Sequence, residues 1–285
     1  MFDTVVVAVD DYAGGRDAVR LARELAGRRG ELVLVNVDVV DVDGRAHEGR
    51  ERHRAALARV ADEAGIRHVA SLNATSVASG LHDFAQRGHA DVLVLGCTRE
   101  GGRDHELVGL HARDTVDDAP CAVAIVPAGY AGASHRLNRI GTAFNGSPAS
   151  TAALVLARRL AGLRNAAVSV FESIGLPPHY FHGRLASDSD SDGDADELSQ
   201  ALPTIVPVQE FSDASEALTV YSESVDLLVV GAGDFGPLGR FFRTRSGSHV
   251  SHTARCPLIV VPRAQPRADG QTLDGAAVEA CARGS

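Results

Sequence analysis

Lysine is absent from the 285 residues; all 28 basic side chains are arginine, against 37 acidic ones, for a net charge of −9. Without lysine there can be no Gly-x4-Gly-Lys-Ser/Thr phosphate loop, no kinase-type strand lysine and no Schiff base to a cofactor aldehyde. P-loop nucleoside triphosphatases and pyridoxal phosphate enzymes are thereby excluded. The acidic balance argues against duplex nucleic acid as a partner, since that ligand rewards basic faces through counterion release. No apolar run approaches the roughly 18 residues of a membrane helix, and the opening Met1-Phe2-Asp3-Thr4 lacks the basic start of a signal peptide. The four cysteines, Cys97, Cys121, Cys256 and Cys281, stand far apart with no Cys-x-x-Cys pair. That spacing disfavours a disulfide framework or a zinc knuckle. The expectation is a soluble cytoplasmic protein without membrane or nucleic-acid partners.

What is present is a repeat. Shifted by 135 positions, the chain overlays itself: Leu21–Gly27 returns as Leu156–Gly162 with one difference, Asp91 falls on Asp226, Gly96 on Gly231, Cys121 on Cys256, and Val126-Pro127 on Val261-Pro262. A period of that length is a whole domain rather than a solenoid unit. The expected organisation is a first domain over 1–129, a linker over 130–137, a second domain over 138–263 and a poorly ordered tail over 264–285 with one helical turn around Ala276–Ala282. An acidic insertion near 183–200 distinguishes the second copy: five aspartates alternate with Ser, Gly and Ala there.

Short apolar, often β-branched runs predict strands at Val5–Val9, Leu32–Val37, Val92–Leu95, Ala122–Val126, Ile140–Phe144, Ala167–Phe171, Leu227–Val230 and Leu258–Val261. Strands buried on both faces of a parallel sheet have this look. Helix-period segments lie between them, at Gly15–Arg28, His47–Glu63, Ser79–Arg87, Ser150–Leu163 and Asp213–Ser222. The alternation predicts an α/β fold: two tandem open, mostly parallel sheets with helices on both faces, Rossmann-like in each copy. The hydrophobic last strands, Ala122–Val126 and Leu258–Val261, are read as edges for a partner strand to cover.

In such sheets ligands bind at the carboxyl ends of the strands. Strand one ends at Asp10 in the first copy and at Asn145 in the second; the fourth strands run into Gly96–Gly102 and Gly231–Gly236. Glycines there suit backbone approach to a phosphate, and equally suit a plain turn. Asp188-x-Asp190-x-Asp192-Gly193 opens like a calcium loop but has Ser199 where the twelfth-position Glu belongs, so a solvated acidic loop is the plainer reading. His179 with His182, and His249 with His252, lack a third ligand in sequence and read as surface histidines. Cys121 and Cys256 read as small buried residues; Cys97 would be reactive only if it faced the cleft. No catalytic and no metal-ligating residues are assigned.

The chain resembles the universal stress proteins, in a tandem arrangement. The resemblance rests on Val5–Val9 leading into Asp10, on Ala143-Phe-Asn-Gly-Ser-Pro-Ala-Ser150 with its Ala-rich helix, and on the strand, Gly loop, Ala-x-Cys and strand-Pro end at Asp91–Pro127 and Asp226–Pro262. It implies five-stranded α/β domains, homodimer formation through the last strand and, in one branch, ATP binding marked by Gly-x2-Gly-x9-Gly-Ser/Thr plus an Asp ending strand one. In the first copy Asp10, Gly96 and Gly109 match that pattern, while Arg99 and Leu110 depart from it. In the second, Asn145 replaces the Asp. Gly231 holds the first Gly position, with Asp234, Thr244 and Arg245 at the others; a slipped register offers Gly233, Gly236, Gly247 and Ser248, one residue too long. The expectation carried forward is a non-catalytic stress protein that binds an adenine nucleotide such as ATP mainly in its first domain. The alternative is a nucleotide-free protein–protein interaction module with degenerate sites; a weak ATPase or phosphotransferase has least support, for want of a general base.

Overall fold

The computed structural model describes residues 2–40, 50–97, 114–132, 136–144, 146–172, 204–207, 214–232 and 256–262. In chain order its strands are β1 (Phe2–Ala8), β2 (Ala26–Val39), β3 (His68–Ala74), β4 (Val92–Gly96), β5 (Ala122–Val126), β6 (Arg139–Phe144), β7 (Ala167–Glu172), β8 (Thr204–Pro207), β9 (Leu227–Gly231) and β10 (Leu258–Val261). The helices are α1 (Tyr12–Leu25), α2 (Arg50–Ala64), α3 (Val77–Arg87), α4 (Pro148–Arg164) and α5 (Ala214–Glu223). Every strand and helix expected within the two domains is present, with ends shifted by a few residues except that β2 begins at Ala26. Two strands were not anticipated, β3 and β8, the outermost strand of each half. The acidic insertion, the paired histidines and the tail lie outside the described residues.

Within each half all pairings are parallel, and the full order is β3-β2-β1-β4-β5-β10-β9-β6-β7-β8. The centre is the one antiparallel junction among the described strands: Leu258 pairs with Ile125, Ile259 with Ala124 and Val260 with Val123. The last strands are thus edges covered by a partner strand, as expected, and that strand comes from the other half of the same chain. They cover each other, so the two five-stranded sheets merge into one ten-stranded sheet, and β3 and β8 are left outermost. Burial explains the pairing, because β5 is buried along its whole length and Leu258–Val260 are buried too. Unpaired, these two strands would expose both a hydrogen-bonding edge and apolar side chains.

The alternation of side chains along each strand sorts the core into two layers. Val5, Val7 and Val9 lie in one layer with Leu21 and Leu25 of α1 and Leu57 and Val60 of α2, and the same layer continues in the second half through Ala153 and Leu160 of α4. Val6, Leu93 and Leu95 face the opposite layer, where Leu81 and Phe84 of α3 and Leu218 and Tyr221 of α5 are buried. Helix starts are capped by side-chain oxygens: Asp11 accepts from the Gly14 N–H at 2.7 Å, Ser76 from Ser79 N–H at 3.1 Å and Ser147 from Ser150 N–H at 3.1 Å, with Pro148 opening α4. α4 ends at Asn165, whose φ of 54° provides the left-handed stop.

One polar device recurs at the offset of 135. Asp91 accepts from the backbone N–H groups of Asp3 and Thr4 at 2.7 and 2.9 Å, and Asp226 accepts from those of Asn138 and Arg139 at 3.0 and 2.9 Å. Each carboxylate fastens the start of the central strand of its half to the start of the neighbouring fourth strand.

Candidate functional site

In each half the central strand, β1 or β6, lies between a neighbour reached on one side and a fourth strand reached on the other. The chain direction therefore reverses beside the central strand, and a crevice opens at the carboxyl ends of β1 and β4, and of β6 and β9. The two predicted glycines that are described sit at these crevices. A Cβ on Gly96 would collide with the Gly14 carbonyl, and one on Gly231 with the Ala149 carbonyl. Gly14 and Ala149 are themselves 135 apart in the sequence. Both glycines thus let the first turn of a helix cross the end of a strand at backbone distance, and this crossing demands them whether or not a ligand is bound.

The first crevice carries charge. Asp10 is exposed at the end of β1, and the Asp11 N–H donates to its Oδ1 at 2.7 Å. Loss of hydration against the surrounding protein, followed by repulsion from Asp11, raises the Asp10 pKa; the Asp11 N–H and the charge of His53 oppose the shift. Next to this site β2 contributes two buried polar residues, Asn36 and Asp38, 2% and 3% exposed. Asn36 Nδ2 donates to the Val9 carbonyl at 3.1 Å, and its Oδ1 is buried without a donor among the described residues. Asp38 pairs with Arg50 Nε at 3.0 Å and Arg54 Nε at 3.4 Å, and Arg50 Nη2 donates to Asn73 Oδ1 at 2.6 Å. Those contacts fasten the start of α2 over the ends of β2 and β3. Asn36 and Asp38 were missed from sequence; the available signal was two polar residues two apart inside an apolar strand, which places both on one face.

The second half lacks the two carboxylates that follow β1 in the first. The positions of Asp10 and Asp11 are taken by Asn145 and Gly146, and the helix is capped by the Ser147 hydroxyl instead of a carboxylate. Gly146 has a φ of 78°, a conformation that favours glycine. Among the predicted site residues, Asp10, Gly96 and Gly231 are described; Gly109, Asn145, Gly233, Gly236, Gly247 and Ser248 lie outside the described residues.

Cys97 follows Gly96 and is buried, with its thiol pushed up to about 12 by burial and then by the charges of Asp10 and Asp17. A thiol so held is protonated at neutral pH and is a poor nucleophile. Cys256 is likewise buried and pushed up to about 12.

The family model described as the universal stress protein family matches the chain twice, over residues 1–127 and 137–262. Over 234 residues the chain is 26% identical to a universal stress protein of Mycobacterium tuberculosis, covering 76% of this chain and 79% of that protein. A universal stress protein from Archaeoglobus fulgidus has a similar structure, with a TM-score of 0.61 at 13% identity over 92% of this chain and 99% of that one. A functionally unknown protein from Pseudomonas aeruginosa gives 0.56 at 12% identity over 98% and 95%. At such identities the structural likeness speaks to the fold.

Proposed function

The chain belongs to the universal stress protein family, in tandem, and on that premise we propose that it is a non-catalytic cytoplasmic stress-response protein that binds an adenine nucleotide at the crevice of its first half. The observation that carries the reading is the union at one strand end of a close backbone crossing, Gly96 against Gly14, with two side-chain acceptors, the exposed Asp10 carboxylate and the Asn36 Oδ1. Acceptors suit the amino group of adenine and the hydroxyls of ribose. Arg99, which stands where the family pattern has its second glycine, and Arg103 close after it in sequence would offer guanidinium groups to the phosphates, while Leu110 takes the place of the hydroxyl.

The second crevice, without the two carboxylates, is proposed as the weaker site. Association into a homodimer, which the family resemblance implied through the last strand, would use another surface, since β5 and β10 already pair within the chain.

The test is to denature freshly purified protein and identify what it releases by chromatography and mass spectrometry. Roughly one adenine nucleotide per chain, lost on Asp10→Ala with the fold intact by circular dichroism, is the expected result. Protein that emerges empty and gains no thermal stability in millimolar ATP would overturn the reading, because any ligand of the native state raises its melting temperature. The interaction-module reading would then take its place.

A further inference from the structure

The buried amide of Asn36 is held in one orientation. The β1–β2 register pairs Ala8 with Val35, and the Val9 N–H extends the ladder to the Val35 carbonyl at 2.8 Å. Asn36 is therefore level with Val9, where β1 has ended and Asp10 follows, while β2 runs on to Val39. The Asn36 side chain meets the Val9 carbonyl at 3.1 Å, and only its nitrogen can do so, because a carbonyl oxygen accepts and cannot donate. A half-turn of the amide would set Oδ1 against the Val9 oxygen. The Oδ1 is thus turned away from that carbonyl, on a residue 2% exposed, with no donor among the described residues.

The polar side chains around it deepen the need. Asp38, two residues on and on the same face of β2, is a second buried acceptor, and it draws Arg50 Nε at 3.0 Å and Arg54 Nε at 3.4 Å to itself. Arg50 commits Nη2 to Asn73 at 2.6 Å. Asp10, the residue after Val9, brings another carboxylate. Asn36, Asp38 and Asp10 all present oxygen, so the donor that Oδ1 lacks has to arrive with a ligand. A buried amide oxygen without a donor destabilises the empty protein, and a fitting ligand removes that penalty.

Purines sort by this chemistry. A 6-amino group carries two N–H donors, whereas a 6-oxo group sets oxygen against oxygen at the same corner of the ring. A phosphate at neutral pH offers oxygens too and is refused at this spot, which turns the base, not the phosphates, toward β2. Resting on the first-crevice reading above, we propose that Asn36 is the specificity-determining residue of that site: its Oδ1 accepts the exocyclic amino group of a 6-aminopurine, and the bond to the Val9 carbonyl stops the amide from flipping to accept a 6-oxopurine. A freely turning amide could show oxygen to one base and nitrogen to the other, and would discriminate poorly. The anchored one shows oxygen only.

The test uses three triphosphates that differ at this corner: ATP, purine riboside triphosphate, which lacks the amino group, and ITP, which has the 6-oxo group. Their affinities are measured by titration calorimetry on full-length protein freed of bound nucleotide. The native protein should bind ATP about tenfold or more tightly than purine riboside triphosphate, with ITP the weakest. Asn36→Leu and Asn36→Ala, each checked by circular dichroism, should bring that preference down to about threefold or less, chiefly by weakening ATP. Two variants are made so that one which does not fold leaves the other, and the native ratio stands without either. If Asn36 served packing alone, the variants would weaken all three ligands alike and keep their ratios, and that result overturns the proposal. Equal binding of ATP and purine riboside triphosphate by the native protein overturns it as well, since internal water would then serve Oδ1. ATP bound without discrimination removes this inference alone; protein that binds none of the three removes it together with the nucleotide reading.

Discussion

The two halves of the chain hold the same skeleton with the same parts. An aspartate ahead of the fourth strand clasps two backbone N–H groups, at Asp91 and at Asp226. A glycine at the end of that strand admits the first turn of a helix, Gly96 against Gly14 and Gly231 against Ala149. The halves part at the crevice, where Asp10-Asp11 faces Asn145-Gly146, and on the helix beside it, where Asp17, Arg20 and Glu24 face Ala152, Val155 and Arg159. Positions that keep the repeat are those the backbone needs. Positions that break it are where the halves have different surroundings or different work.

The most damaging way to probe this division is at the shared glycines. Gly96→Ala and Gly231→Ala should each cost about 3 kcal/mol or more in urea unfolding, because the atoms a Cβ meets are helix backbone and cannot swing aside. Comparable losses would support a common skeleton; damage in one half alone would break the comparison. Gly162→Ala is the control. It lies inside α4 with open space around its missing Cβ and should stabilise by about 0.5–1 kcal/mol.

Next in size is Asp17→Ala. It strands the N–H groups of Gly129 and Ala131 and should cost about 2–3 kcal/mol. Ala152→Asp, the reciprocal change in α4, should bring no gain. If it did stabilise, the second half would be holding its following segment through the same polar contact as the first.

The smallest effect belongs to Asp10→Asn. Because the folded state raises the Asp10 pKa, the native protein holds that proton more tightly than the unfolded chain does. Stability attributable to this group is therefore highest in acid and falls as pH rises from the ordinary value near 3.8 through the raised one. An amide in place of the carboxyl escapes the loss, so the variant should melt slightly higher than the native protein at neutral pH, and the two melting curves should converge below the ordinary value. A gap that persists in strong acid would remove the electrostatic explanation. The second half, with asparagine already at this position, has no counterpart to this dependence.

How far the sequence could be read depended on how each element is buried. Val5–Val7 and Val92–Leu95 announce themselves because both faces of β1 and β4 are covered, leaving an unbroken apolar run. β3 is outermost and its burial alternates, with Val69 37% exposed, so His68–Ala74 carries no such run and was passed over. The last strands were legible as edges needing cover, but their apolar residues do not encode which strand provides it, and the true partner lies more than a hundred residues away. At the crevice, Asp10 and Gly96 followed from their places at strand ends. The helix crossing by itself demands a glycine at Gly96. Asn36 and Asp38 were hidden inside the strand that displays them, and only the period of two could have separated them from their apolar neighbours.

The antiparallel seam between β5 and β10 makes the molecule a two-headed object. Parallel strands within a half all point their carboxyl ends the same way, and the seam turns the second set through half a revolution. One crevice therefore opens on the upper rim of the sheet and the other on the lower, with the core in between. No single small ligand can bridge the two, and occupants cannot jostle each other directly. Any conversation between the heads has to pass through the shared strands at the centre, whereas two different partners could be engaged at once, from opposite directions.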